Sequence, residues 1–153
     1  LRPYPGWDED FRSRIAVALD AYKEITAPTG VQQIGLRYIN RVVIEQASIA
    51  LDDYFTAPPH IPASFPQARA AIFSRIESFY ADKAIRLAHT FASAQAPEGQ
   101  SAFLLDLDLR WEWDTPPLPL SEVMGAVEEL RQRERDAFEA LITDKLREVF
   151  DAA

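Results

Sequence analysis

The residues best placed to do chemistry are Asp106 and Asp108. They sit in a segment where Phe103, Leu105, Leu107, Leu109, Trp111 and Trp113 alternate with Asp106, Asp108, Arg110 and Glu112. A period of two is the signature of a strand with one buried face, so both carboxylates fall on the polar side, about 6.5–7 Å apart along it. Hard divalent cations take oxygen ligands, and a carboxylate pair on a rigid strand can begin a metal-dependent hydrolytic or phosphoryl-transfer site. Such a site wants a third ligand, and Glu112 lies further along the same face. The competing reading pairs these acids across the sheet with Arg37, Arg41 or Arg86 from neighbouring strands. Arg37 and Arg41 are themselves candidates. Four residues apart on one strand face, they offer forked donors suited to a phosphate or carboxylate, while Asn40 points to the apolar side as a structural amide.

The other chemistry-bearing side chains are sparser. His89 falls on an apolar face with Ile85, Leu87 and Phe91, where a lone imidazole reads as a core residue, and the second histidine, His60, lies far away in a proline-rich loop. There is no Gly-x-Ser-x-Gly turn to expose a nucleophilic serine and no glycine-rich loop to cradle phosphates. Trp7, Trp111 and Trp113, with Phe11, Tyr22 and Tyr38, supply broad apolar surfaces with polar handles. Core packing accounts for them. The functional alternative is a cavity for a small apolar ligand, lined by Trp111 and Trp113, between sheet and C-terminal helix. Two tryptophans ending one strand face need a wide cover, which a ligand, a preceding segment or another chain would provide.

The elements that must position these groups can be read along the chain. Tyr4-Pro5-Gly6-Trp7 predicts a turn, and Asp8 an N-cap for a helix to about Ile25 with Phe11, Ile15, Leu19 and Tyr22 on one stripe. Ala27-Pro28-Thr29-Gly30 ends it. Val31 to Glu45 alternates as a long strand, yet Ile39 and Val43 fall on its polar side, which predicts partial cover on both faces. A short helix opened by Asp52 or Asp53 is expected within Ile49 to Phe55, before a loop with Pro58, Pro59, Pro62 and Pro66. Gln67 to Phe79 and Lys83 to Ala94 read as a hairpin across Tyr80-Ala81-Asp82-Lys83, with the alanine content allowing a helical reading as the alternative. Following the Asp106 strand and the breaker Thr115 to Pro119, Ser121 is expected to cap a long helix reaching about Phe150, which at roughly 45 Å calls for either a break near Thr143-Asp144 or a protruding end. Glu129 and Arg133 make an i, i+4 pair on its outer face. The expected fold is α+β: one domain with an antiparallel sheet of about four strands packed against an N-terminal helix and a long C-terminal helix.

Composition narrows the function classes. The 153 residues carry 48% apolar content and no cysteine, which removes disulfides, thiolate nucleophiles and cysteine-based zinc sites, and agrees with a reducing cytoplasm as the expected compartment. A net charge of −8 without a basic run opposes a nucleic-acid backbone, so nucleic acid is not an expected partner. No apolar run approaches the ~20 residues that span a bilayer, and Leu1-Arg2-Pro3-Tyr4-Pro5 has no signal-like apolar core, so no membrane is expected.

Four blocks carry a resemblance: Tyr4-Pro5-Gly6-Trp7, Ile34-Gly35-Leu36-Arg37-Tyr38-Ile39-Asn40-Arg41, Leu105-Asp106-Leu107-Asp108, and Phe138-Glu139-Ala140-Leu141-Ile142-Thr143-Asp144. In this order they resemble a sporadically distributed bacterial family of uncharacterised proteins, over nearly the whole chain apart from the proline loop. The resemblance implies that the chain is the C-terminal part of a longer protein with a strand-rich segment before it, and implies no activity. The polar groups form no complete catalytic set while aromatic surface is abundant. The expected function is therefore a non-catalytic binding or protein-interaction module, its partner another protein or that preceding segment. The alternative is a metal-dependent enzyme using a divalent cation on Asp106 and Asp108, with Arg37 or Arg41 neutralising substrate charge.

Overall fold

A computed structural model describes residues 6–62, 64–66 and 71–151. The expected Gln67–Ala70 start of the hairpin and the Tyr4-Pro5 half of the first turn lie outside these residues. Four strands, β1 (Gln33–Ile44), β2 (Phe73–Tyr80), β3 (Ile85–Ala94) and β4 (Ser101–Glu112), form an antiparallel sheet in the order β1-β4-β3-β2. Helix α1 (Arg12–Thr26) precedes the sheet, while α2 (Val123–Leu141) and α3 (Asp144–Asp151) follow it. The fold is α+β, with the sheet and terminal helices that the alternation and helical periods predict.

The apolar face of β4 sets the core. Leu109 pairs with Leu36 and Leu87, Leu107 with Tyr38 and His89, and Leu105 with Asn40 and Phe91, so one side of three strands is apolar almost throughout. Two clusters stand on it. Leu107 and Leu109 pack with Leu36, Ile85, Val123, Val127 and Leu130 under α2. Phe103 and Leu105 pack with Val42, Phe55, Phe91, Ile142 and Leu146 under α3. Rings of Phe55, Phe91 and Phe103 meet at 4.9–5.4 Å.

The helix ends correct several expectations. The first turn is a π-turn, Trp7–Phe11, entered from Gly6 at φ 121°, and Asp8 lies inside it rather than capping it. Phe11, Ile15 and Leu19 lean on the core, but Tyr22 stays exposed, because α1 touches the core only along its first turns. Likewise Ser121 falls within a short 3-10 turn, Leu120–Glu122, so α2 begins without a side-chain cap. The short helix at 51–53 follows Ala50, with Asp52 and Asp53 inside its turn. The break near Thr143 has a clear cause. Ile142 forms a bridge with Phe55, Thr143 N–H donates to the Tyr54 carbonyl, and the Thr143 hydroxyl accepts from Leu146 N–H at 3.3 Å to start α3.

Among the described residues every helix lies on one side of the sheet. The reverse face is formed by the odd residues of β1 and β2 and the even residues of β3 and β4, and no helix covers it among the described residues. The expectation of partial cover on both faces of β1 therefore holds at Val43, which is partly buried beside Ala102, and fails at Ile39, which remains 58% exposed.

Candidate functional site

The uncovered face gathers the charged residues singled out in the sequence, Arg37, Arg41, Arg86, Asp106, Asp108 and Glu112. Arg37 stands directly opposite Asp108, while Asp106 lies between Ile39 and Thr90. Arg37 reaches diagonally to Asp106 in a forked pair, Nε to Oδ1 at 2.8 Å and Nη2 to Oδ2 at 2.5 Å. Asp108 is held by Arg110 two residues along its own strand, Nη2 to Oδ2 at 3.0 Å. Both carboxylates are largely shielded, at 13% side-chain exposure, while the arginines that hold them stay exposed. Each guanidinium is in turn pushed above its ordinary pKa by the acid it donates to. The acid pair that a cation would need is thus already divided between two arginines.

Arg41 does not join this cluster. Its Nη2 donates to the Gln95 carbonyl at 2.8 Å, beyond the end of β3. The two arginines that lie on one face are therefore committed to different partners, and no shared anion grip is formed between them. Arg86 faces Arg110, a like charge, and turns to Glu77 instead at 3.7 Å. Glu77 also accepts from Arg75, which holds its carboxyl below the ordinary range. The ladder then runs Arg37–Asp106, Asp108–Arg110 and Arg86–Glu77–Arg75 across four strands. Among the described residues no group of three or more His, Asp or Glu side chains comes together to hold a metal ion.

Trp111 and Trp113 lie on the opposite, helix-covered side, their rings 4.7 Å apart and both partly buried against the first core cluster. Lys83 caps the Trp111 ring at 5.4 Å. A shallow cleft of about 320 Å³ between Trp111, Leu118 and the start of α2 is what remains open there. His89 faces the core with Nε2 buried and without a hydrogen-bond partner, and burial lowers its pKa, which favours the neutral ring. Asn40 makes a long contact to the Leu105 carbonyl at 3.5 Å.

Sequence reasoning placed Arg110 and Ile39 on polar strand faces without giving them a role, and it missed Glu77, Phe73 and Phe79. Arg110 and Glu77 bind the charge ladder together, and Ile39, Phe73 and Phe79 stand exposed on the same side. The parity of Phe73-Ser74-Arg75-Ile76-Glu77-Ser78-Phe79 was the available signal: aromatic and charged residues on the odd positions, Ser and Ile on the even. Compared with known proteins, the chain matches no family model, no curated protein and no solved structure.

Proposed function

We propose that this chain is a non-catalytic interaction module that presents the uncovered face of its sheet to a protein partner. One observation carries the reading: the carboxylates at the centre of that face are each tied to an arginine, while Ile39, Phe73 and Phe79 stand exposed around them. Five arginines, at 37, 41, 75, 86 and 110, balance four carboxylates, at 77, 106, 108 and 112, so the face is close to neutral on a chain of net charge −8. Broad, flat, mixed surfaces with exposed aromatic and Arg side chains suit protein recognition better than small-molecule chemistry, which wants a concave site. The chain is also proposed to belong to the bacterial family that its four sequence blocks resemble, a resemblance that implies no activity.

The test begins with a photo-reactive side chain at position 39, expected to give one discrete protein adduct in the native cell. That partner, purified, should bind the wild-type chain and bind Ile39→Asp about ten-fold or more weakly, as loss of a central apolar contact predicts. Equal affinity for both would remove the reading. Titration of wild type and Asp106→Asn with Mg²⁺ and Mn²⁺ tests the metal-dependent alternative. We expect matching traces without saturable heat; saturable binding lost in Asp106→Asn would establish the metal site instead.

A further inference from the structure

β2 is one of the two edge strands of the sheet, β1 being the other, and among the described residues nothing pairs with its free side. An edge of eight residues is a ready template for another strand, and proteins usually blunt such edges with proline, a bulge or an inward-pointing charge. The described β2 contains no proline and leaves Phe73 75%, Ile76 55% and Phe79 70% exposed.

The order of residues on this edge is self-complementary. Read from either end, Phe73-Ser74-Arg75-Ile76-Glu77-Ser78-Phe79 gives Phe, Ser, a charge, Ile, the opposite charge, Ser, Phe. Laid antiparallel on itself about Ile76, it sets Phe73 against Phe79, Ser74 against Ser78 and Arg75 against Glu77, with Ile76 facing its own copy.

Backbone geometry selects the same register. Ser93 N–H donates to the Ile72 carbonyl at 3.0 Å, so that pair is of the hydrogen-bonded type. By alternation Ser74, Ile76, Ser78 and Tyr80 turn their backbone groups toward β3, while Phe73, Arg75, Glu77 and Phe79 turn theirs to the open edge. Only odd residues can then bond with odd residues of a second strand. A two-fold axis at position 75 would face Arg75 with Arg75, and one at 77 would face Glu77 with Glu77. The axis at 76 places Arg75 against Glu77 twice and Phe73 against Phe79 twice, all on the uncovered face.

We propose that two copies of this chain join through β2, with the two-fold axis at Ile76, into one continuous antiparallel sheet. The arrangement draws on Phe73 and Phe79, which the partner-binding reading also uses, but its test reads self-association through β2 and not the affinity of a partner at Ile39. It sets the two uncovered faces side by side, joined by a seam of four phenylalanines.

Sedimentation across the micromolar to submillimolar range should show the wild-type chain passing from monomer to dimer. Arg75→Glu and Glu77→Arg should each weaken the dimer about ten-fold or more, two cross-strand pairs turning from attraction to repulsion. Mixing the two variants should restore it, since each supplies the charge the other lacks, and restoration also shows that both are folded. The chain has no cysteine, so Ile76→Cys gives a clean register test. Mild oxidation should link Ile76→Cys and leave Ser74→Cys unlinked, because two copies of position 74 lie about 14 Å apart along the strands and a disulfide reaches only about 7 Å between Cα atoms. A wild-type chain monomeric throughout, a dimer indifferent to both charge reversals, or linkage at 74 in place of 76 would each overturn the proposal.

Discussion

Glu134 is the one acid in the described chain that the fold buries almost fully, with 3% of its side chain exposed. Its ion-pair partner is Arg131 one turn earlier on α2, whose guanidinium also lies over the rings of Tyr38 at 4.9 Å and Trp7 at 5.8 Å. Burial raises the Glu134 pKa, and Arg131 opposes that rise without cancelling it. The sign of the resulting pH dependence follows from proton counting. Between the ordinary glutamate value of 4.5 and the raised folded value, the native state holds more protons than the unfolded one. Stability from this group is therefore greatest at low pH and falls as pH rises through that window. Glu134→Gln removes the titration and keeps an acceptor for Arg131. Measured by denaturant midpoint, the difference between variant and wild type should move in the variant's favour as pH increases from 4.5, then level off. A constant difference across the range would show that the carboxyl does not carry the slope.

At the scale of elements, what was legible in the chain depended on whether a pattern was local. The β4 strand was plain because six apolar residues alternate with charges, whereas the sequence left the end of α2 open between a break at Thr143-Asp144 and a protruding helix, and the structure has the break. Cross-strand register was not legible, since it is set by pairing between distant segments. Thus Arg37 and the acids could be named as partners, but that Asp108 would fall to Arg110 on its own strand, and Arg86 to Glu77, follows only once Arg86 is seen opposite Arg110. The strap after β4 was invisible for the same reason. Val31 and Leu118 exchange two backbone hydrogen bonds at 2.9 Å each, tying the entry of β1 to the segment before α2. Gly30 makes that approach feasible: a Cβ there would stand 2.8 Å from the Leu118 carbonyl oxygen and 3.0 Å from the Pro117 ring. Gly30→Ala should therefore cost about 1–3 kcal/mol, the range for forced overpacking, because backbone rather than a flexible side chain must yield. Amide exchange at Val31 and Leu118 should accelerate well beyond the change at β4; uniform acceleration would place the damage elsewhere.

For the whole molecule, the question is whether two core clusters make one cooperative unit. Both stand on the same strand, Phe103 and Leu105 in one and Leu107 and Leu109 in the other, and Phe138 of α2 packs on each. A strand cannot lose half its ladder without exposing the apolar face of the rest, so failure in one cluster should spread to the other. The tryptophans allow a direct check. All three belong to the first cluster, Trp7 buried and Trp111 and Trp113 packed against it, so their fluorescence reports on that half alone. Leu105 is 1% exposed in the second cluster, and Leu105→Ala should remove about 2–5 kcal/mol, the cost of emptying a packed leucine site. If β4 couples the halves, the midpoint followed by tryptophan fluorescence falls by the same amount as that followed by far-ultraviolet circular dichroism. A shift in circular dichroism with the fluorescence midpoint unmoved would mean that the part of the sheet under α3 unfolds by itself. The uncovered face would then be built from two independently stable pieces rather than one rigid platform.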